Sequence, residues 1–320
     1  MAISGTSSRA KYGWEGTFGG GASSTNLPFG HDLKLSTLER RNNVEQFWGL
    51  GNTEAESSIV KQYEGSWSAD FVLGNAYWLR SLFGVTPTIS GAGPHVHIYS
   101  TAAGSITSAV NSICIEYQDD LSTNHSSQLL GCVINTATLS MTNGEAVKVT
   151  LEGNYANELA GTSLTTLVSD TYSAPMTFQQ ASIELPDGTT LTKARSCEVR
   201  FSKNTEMYNT LGSRFASAAV SKNFDIEITA TVLFENVNLL ERFFGGTSPA
   251  ASITATTFDV VINNNDTGTS ERELHLTFGG VYIDTHSMPH DIQAGIEETI
   301  TMKARTVTGA TYTDNTTPAP

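Results

Sequence analysis

The chain has 320 residues and a formal net charge of −14, yet only 16% of its residues are charged. Sparse acidity spread through a Ser-, Thr-, Asn- and Gly-rich chain argues against tight nucleic-acid binding, which needs clustered Lys and Arg to meet phosphates. The three cysteines, at 114, 132 and 197, form neither a disulfide framework nor a CxxC pair, so buried free thiols are expected.

Residues 1–26 lack the apolar run of a secretory leader, and no segment approaches the ~18 apolar residues of a membrane span. A soluble protein made in a cytoplasm is the expectation. The same residues are rich in Gly and Ser and read as an arm or loop, not a packed element. Leu27-Pro28-Phe29-Gly30 then carries turn chemistry, and it returns as Leu185-Pro186-Asp187-Gly188.

That return belongs to a longer one. Residues Leu38 to Gly84 align without a gap on Val199 to Gly245 at a constant offset of 161, with eleven of 47 positions identical. Ordinary residue usage gives about three by chance. The identities include Asn43/Asn204, Glu45/Glu206, Leu50/Leu211, Gly51/Gly212, Lys61/Lys222, Asn75/Asn236 and Gly84/Gly245. Two domains, 1–160 with the N-terminal arm and 161–320 with the C-terminal tail, fit this pattern and the usual domain size.

Inside the repeat, Asn42 to Ser58 and its counterpart Asn204 to Ser221 form a long inter-strand loop. Its aromatics Phe47, Trp48 and Tyr208, with the retained Leu50-Gly51 and Leu211-Gly212, mark an interaction loop. Tyr63 to Leu73 follows as a strand, with Trp67, Ala69 and Phe71 on one face and Glu64, Ser66, Ser68 and Asp70 on the other. The second copy keeps the phase, with Ile226, Ile228, Ala230 and Val232 against Asp225, Glu227, Thr229 and Thr231. A one-residue slip would turn the wrong face inward, so shared register implies shared fold.

Each strand leads into a short helix, with Asn75 or Asn236 as the expected N-cap and Gly84 or Gly245 as the stop. The apolar stripe is Trp78, Leu79, Leu82 and Phe83 in one copy and Leu239, Leu240, Phe243 and Phe244 in the other. Strands near 112–118, 129–139 and 146–155 answer to 257–263, 273–284 and 297–305, and residues 156–180 read as the connection between halves. The tail TYTDNTTPAP is expected to lack order unless a neighbour supplies it. The fold class is mainly β: two tandem β-sandwich or partly rolled barrel domains, each with one short α-helix.

Catalytic and metal chemistry finds little support. His95 and His97 share a strand face and supply half of a tetrahedral site, against the plainer reading of surface or interface histidines. Residues 263–271 are oxygen-rich without the spacing of a calcium loop, and read as a solvated turn. Asp119 and Asp120 point to opposite faces and have no partner acid or base. No GxSxG, P-loop or HExxH motif occurs. No catalytic, cofactor or metal residue is therefore assigned, and no enzyme activity is expected.

The segments YEGSWSADFVLGNAYWLRSLFG and FDIEITATVLFENVNLLERFFGG, in this order of elements, resemble the tail tube (major tail) proteins of long-tailed viruses, across roughly residues 27–155 and 185–305. The resemblance implies a virion structural protein, assembled in the host cytoplasm, whose rings stack helically into a hollow tube that carries DNA to the host. Family members generally have one such domain and form hexameric rings. Two per chain imply trimeric rings with pseudo-sixfold symmetry. Implied partners are further copies of the chain, a tape-measure protein and tail-end proteins, with DNA passing unbound and no membrane. Lumen-facing candidates are Glu64, Ser66, Ser68, Asp70, Asp225, Glu227, Thr229 and Thr231. Ring-stacking candidates are Phe47, Trp48, Leu50, Gly51, Tyr208, Leu211 and Gly212. The alternatives are a distal tail or baseplate ring protein of the same fold, and a carbohydrate-binding adhesin with exposed aromatics in a groove.

Overall fold

Alternating apolar and polar residues dominate the chain, and strands dominate the computed structural model, which describes residues 9–21, 27–91, 93–101, 111–120, 125–161, 175–184, 194–264, 271–289 and 296–314. The first half contains β1 (Arg9–Trp14), β2 (His31–Arg41), β3 (Val44–Phe47), β4 (Ser57–Val60), β5 (Glu64–Val72), α1 (Leu79–Phe83), β6 (Thr88–Ser90), β7 (His95–Thr101), β8 (Ile113–Asp120), β9 (His125–Thr142), β10 (Lys148–Tyr155) and β11 (Asn157–Ala160). The second contains β12 (Ala181–Glu184), β13 (Ala194–Ser202), β14 (Thr205–Asn209), β15 (Ala216–Ser221), β16 (Asp225–Leu233), α2 (Asn238–Phe244), β17 (Thr256–Asn263), β18 (Glu273–Ser287) and β19 (Glu297–Asp314). The fold is mainly β; among the described residues there are two short α-helices, and the strands do not close into a barrel.

Each half folds around one long strand that serves two sheets. The beginning of β9 pairs β8 and β11, and its end pairs β10 and β13. The change of sheet falls at Gly131, in the left-handed region at φ 66°. An added Cβ there would lie 2.8 Å from that of Ala156, so the corner needs glycine on both counts. The long strand β18 turns at Gly280 in the same way, at φ 65°. Beyond each corner the strand bulges by one residue, at Asn135 in β9 and Asp284 in β18.

The identities between halves fall where the backbone is demanding. Asn43 and Asn204, Gly51 and Gly212, and Gly84 and Gly245 all have positive φ. Glu45 and Lys61 form an ion pair at 2.6 Å, and Glu206 and Lys222 form its counterpart. The expected helix N-caps differ in detail. Asn75 accepts from the Tyr77 amide and Asn236 from the Asn238 amide, so each makes a turn before the helix, while the capping positions are Trp78 and Val237 without a side-chain bond.

The two halves share one sheet. Strand β13 pairs antiparallel with β9, from Ser196 opposite Thr142 to Ser202 opposite Thr136. The result is an unbroken run β18-β19-β16-β13-β9-β10-β5-β2. One face of it is apolar, with Trp67, Phe71, Leu139, Leu151, Val199, Phe201 and Ile228 buried. Helix α1 crosses the junction: Phe83 meets Phe201 at 5.8 Å and Phe224 at 6.0 Å between ring centres. Lys203 is buried beneath the same helix and donates to the Ser81 carbonyl at 3.0 Å.

Two expectations about the ends of the chain are corrected. The N-terminal stretch is not a free arm from Arg9 onward: β1 pairs β8, and Tyr12 is buried against Phe29 at 4.7 Å. The apolar alternation of Ala10, Tyr12 and Trp14 is the cause, hidden by its Gly/Ser surroundings. The tail is likewise ordered through Asp314, because β7 from the first half pairs the end of β19. There the Asp314 carboxylate accepts from Tyr77 and lies 3.0 Å from His97 Nε2. The turn expected at residues 185–188 lies outside the described residues.

Burial lowers the Lys203 ammonium from 10.5 to about 8. The unfolded chain then holds this proton where the folded one does not, so stability rises with pH between those values. Lys203→Met should be more stable than wild type below pH 8, with the advantage shrinking by about 3 kcal/mol by pH 10.5. Urea unfolding of both proteins across that range tests this, and a pH-independent difference would contradict it.

Candidate functional site

Two surfaces stand out. The first is the wet face of the eight-stranded run, where alternation projects one polar row from each strand. All eight residues singled out from the strand phase, Glu64, Ser66, Ser68, Asp70, Asp225, Glu227, Thr229 and Thr231, lie on this face. Ser68 is covered: it is buried and shares a hydrogen bond with Ser36 at 3.0 Å. Neighbouring strands extend the face with Thr136, Thr138 and Ser140 from β9 and Thr150, Glu152 and Asn154 from β10.

Cations on this face are matched with carboxylates. Arg41 is opposite Glu64, and Lys34 is opposite Asp70. Arg200 and Lys303 flank Glu227 on its two sides. Lys303 also pairs with Asp284 at 3.1 Å, and Lys148 with Glu145 at 2.5 Å. Exposed pairs of this kind add little stability, but they leave no concentrated positive field.

The second surface is a pair of β-hairpins, β3–β4 and β14–β15, each a separate two-stranded sheet. The segments expected to be loops are thus in part paired strands, because Val44, Glu45 and Gln46 can ladder onto Ser58, Ile59 and Val60 without help from the body. Phe47, Trp48, Tyr208, Val44, Ile59 and Val220 are exposed, and Leu50 and Leu211 at the tips are fully so. Gly51 and Gly212 supply the left-handed turns beside them. Contiguous exposed apolar residues on a soluble fold mark interaction surface. The second hairpin leans on the first half: the Arg214 carbonyl accepts from the Tyr63 amide at 2.9 Å, and Phe215 meets Tyr63 at 5.9 Å. It therefore lies across one rim of the sheet.

Reading for single motifs missed a third feature, which comparison of the halves reveals. In the second half Phe201, Phe224, Ala304 and Val307 make an apolar junction. The first half has Arg40, Tyr63, Tyr155 and Glu158 at the corresponding places. Arg40 makes a bidentate pair with Glu158 at 2.6 and 2.7 Å and also donates to Tyr117 at 2.7 Å. Burial works to raise the Glu158 carboxyl, but hydrogen bonds from Arg40 and Tyr117 outweigh it and hold the group below its ordinary value.

The other sequence candidates fall away from these surfaces. Trp67 and Trp78 are core residues, which removes them from any sugar-stacking groove. His97 is buried between the halves against Asp314, and among the described residues no group of three or more His, Cys, Asp or Glu is placed to hold a metal ion. All three cysteines are free and buried. Residues 265–270 of the oxygen-rich stretch lie outside the described residues, as do the side chains of Asp119 and Asp120. An open concavity of about 1070 Å³ lies between the polar face and the hairpin bases, bordered by Asn135, Arg200, Asn204 and Glu206.

Because the Leu50 and Leu211 side chains are fully exposed, Leu50→Asp and Leu211→Asp should change unfolding free energy by no more than about 0.5 kcal/mol. Denaturant titration checks this; a loss of several kcal/mol would mean the tips are packed.

A family model described as "Phage tail tube protein" matches residues 5–310. No curated protein matches the chain.

Proposed function

This chain belongs to the phage tail tube protein family, and from that premise we propose that three copies close into a ring whose lumen is lined by the eight-stranded polar face, and that rings stack to conduct the viral genome. The observation that carries this reading is that Lys34, Arg41, Arg200 and Lys303 on that face each stand opposite or beside a carboxylate. A sliding polyanion is retarded by clustered cations and passes a neutral or acidic wall.

Each chain is a duplicated tube domain in this reading, and the internal β9–β13 junction is one of two kinds of contact around the ring. Head-to-tail association that closes by rotation then gives three chains with pseudo-sixfold symmetry. The apolar hairpins, present in both halves along one rim, favour stacking of ring on ring over a terminal ring that caps the tube. The tape-measure protein would occupy the lumen before DNA, and tail-end proteins would meet the two terminal rings.

Electron microscopy of the purified protein should show hollow stacked rings with threefold or pseudo-sixfold end views. Deleting residues 44–56 should leave folded protein that no longer polymerises; tubes of normal length would remove the hairpin from the stacking role. Glu64→Lys with Glu227→Lys should assemble yet deliver DNA at least about tenfold less well, the scale expected when several phosphate contacts are created. Unchanged delivery would move the lumen elsewhere.

A further inference from the structure

We infer that Tyr12, Tyr99 and His97 line a binding site for internal water, and that this water ties the first strand and the end of the last one to the body of the chain. The site lies inside a single copy and stands apart from the ring proposed above.

Three strands and a turn bring polar groups together there. Tyr12 comes from β1, Tyr77 from the segment before α1, His97 and Tyr99 from β7, and Tyr312 and Asp314 from β19. His97 lies opposite Tyr312 in the β7–β19 ladder. The Tyr77 ring stands edge-on to Tyr312 at 5.4 Å and to His97 at 5.5 Å, and His97 stacks on Tyr312 at 6.1 Å. Tyr12, His97 and Tyr99 are each at most 1% exposed. Burial raises the Tyr12 phenol well above its ordinary value, and repulsion from Tyr99, Tyr77 and Tyr312 adds to it. Burial likewise raises Tyr99, with Tyr77 and Asp314 adding to the shift. Such mutual effects need the groups to be neighbours.

The hydrogen bonds of this cluster are unevenly shared. The Asp314 carboxylate accepts from Tyr77 and takes His97 Nε2 at 3.0 Å, and Tyr312 donates to the Gly74 carbonyl at 3.4 Å. The hydroxyls of Tyr12 and Tyr99 and Nδ1 of His97 are buried and have no partner among the described residues. A buried polar group gives up its hydration and regains stability only through a new partner. The fold does not require polar groups here. In the second half β12 pairs β17 as β1 pairs β8, and the buried residue on β12 is Ile183, which needs no partner.

The chemistry of the set selects the ligand. Phenol hydroxyls both give and take hydrogen bonds, whereas the carboxylate only accepts. An anion would be repelled by Asp314. A metal ion would meet one carboxylate and one imidazole, too few ligands to hold it. Water gives two hydrogen bonds and takes two, and buried waters typically serve two to four polar groups of this kind. Here it would accept from the two hydroxyls and give to the spare lone pairs of Asp314 and its neighbours.

Urea unfolding of the full chain tests this as a mutant cycle. Tyr12→Phe and Tyr99→Phe should each lower the folding equilibrium constant about fivefold, because the water loses a partner. The double variant should lose well short of the product of the two, because both hydroxyls serve one site. Variants as stable as wild type, or more stable, would show that the hydroxyls are orphans. Losses that multiply would show that each has a separate partner. Either result overturns the inference. A crystal or cryo-electron microscopy map that resolves ordered solvent should show density about 2.7–2.8 Å from both hydroxyl oxygens. A dry interior in such a map would overturn it as well, and none of these outcomes depends on ring formation.

Discussion

The antiparallel seam between β9 and β13 is the constraint on which the molecule depends. It turns two sandwiches into one sheet of eight strands with a single wet face. Because backbone pairing fixes register, and register fixes which side chains point where, the seam aligns the polar rows of both halves across the molecule. The matching of Arg200 with Glu227 and of Arg41 with Glu64 has meaning only on such a common face. The buried faces are also tied through it, since Phe83 of the first half is covered by Phe201 and Phe224 of the second.

The halves share a scaffold and differ where their surroundings differ. Left-handed positions, corner glycines and bulges recur because they set the path of the backbone, and few substitutes tolerate those torsions. Side chains at the junctions have diverged. A junction made once, during folding, can be aromatic and dry: Phe201 is fully buried, and truncating a residue of this kind usually costs about 3–5 kcal/mol. The corresponding places in the first half are polar and partly open to water, and Arg40, Tyr63, Tyr155 and Glu158 satisfy one another there.

Much of this was legible in the sequence. Period-two alternation located β5 and β16, and the offset of 161 aligned their phases, because one-sided burial leaves a strong trace. The helices were equally plain from their stripes and terminal glycines. Less legible was β1, whose few apolar residues sit among Gly and Ser, and the ordered end of the tail, where Asp314 is held by Tyr77 and His97 from more than two hundred residues away. Local pattern does not encode such pairings. The hairpins look like loops in the sequence because their apolar residues face outward, so the usual buried face leaves no trace.

A cross-section of the assembled tube by cryo-electron microscopy tests the central claim most directly. The account predicts three chains per ring and a lumen sheet with alternating junctions, one within a chain and one between chains. Six chains per ring, or a lumen lined by anything other than the β18-to-β2 run, would contradict it.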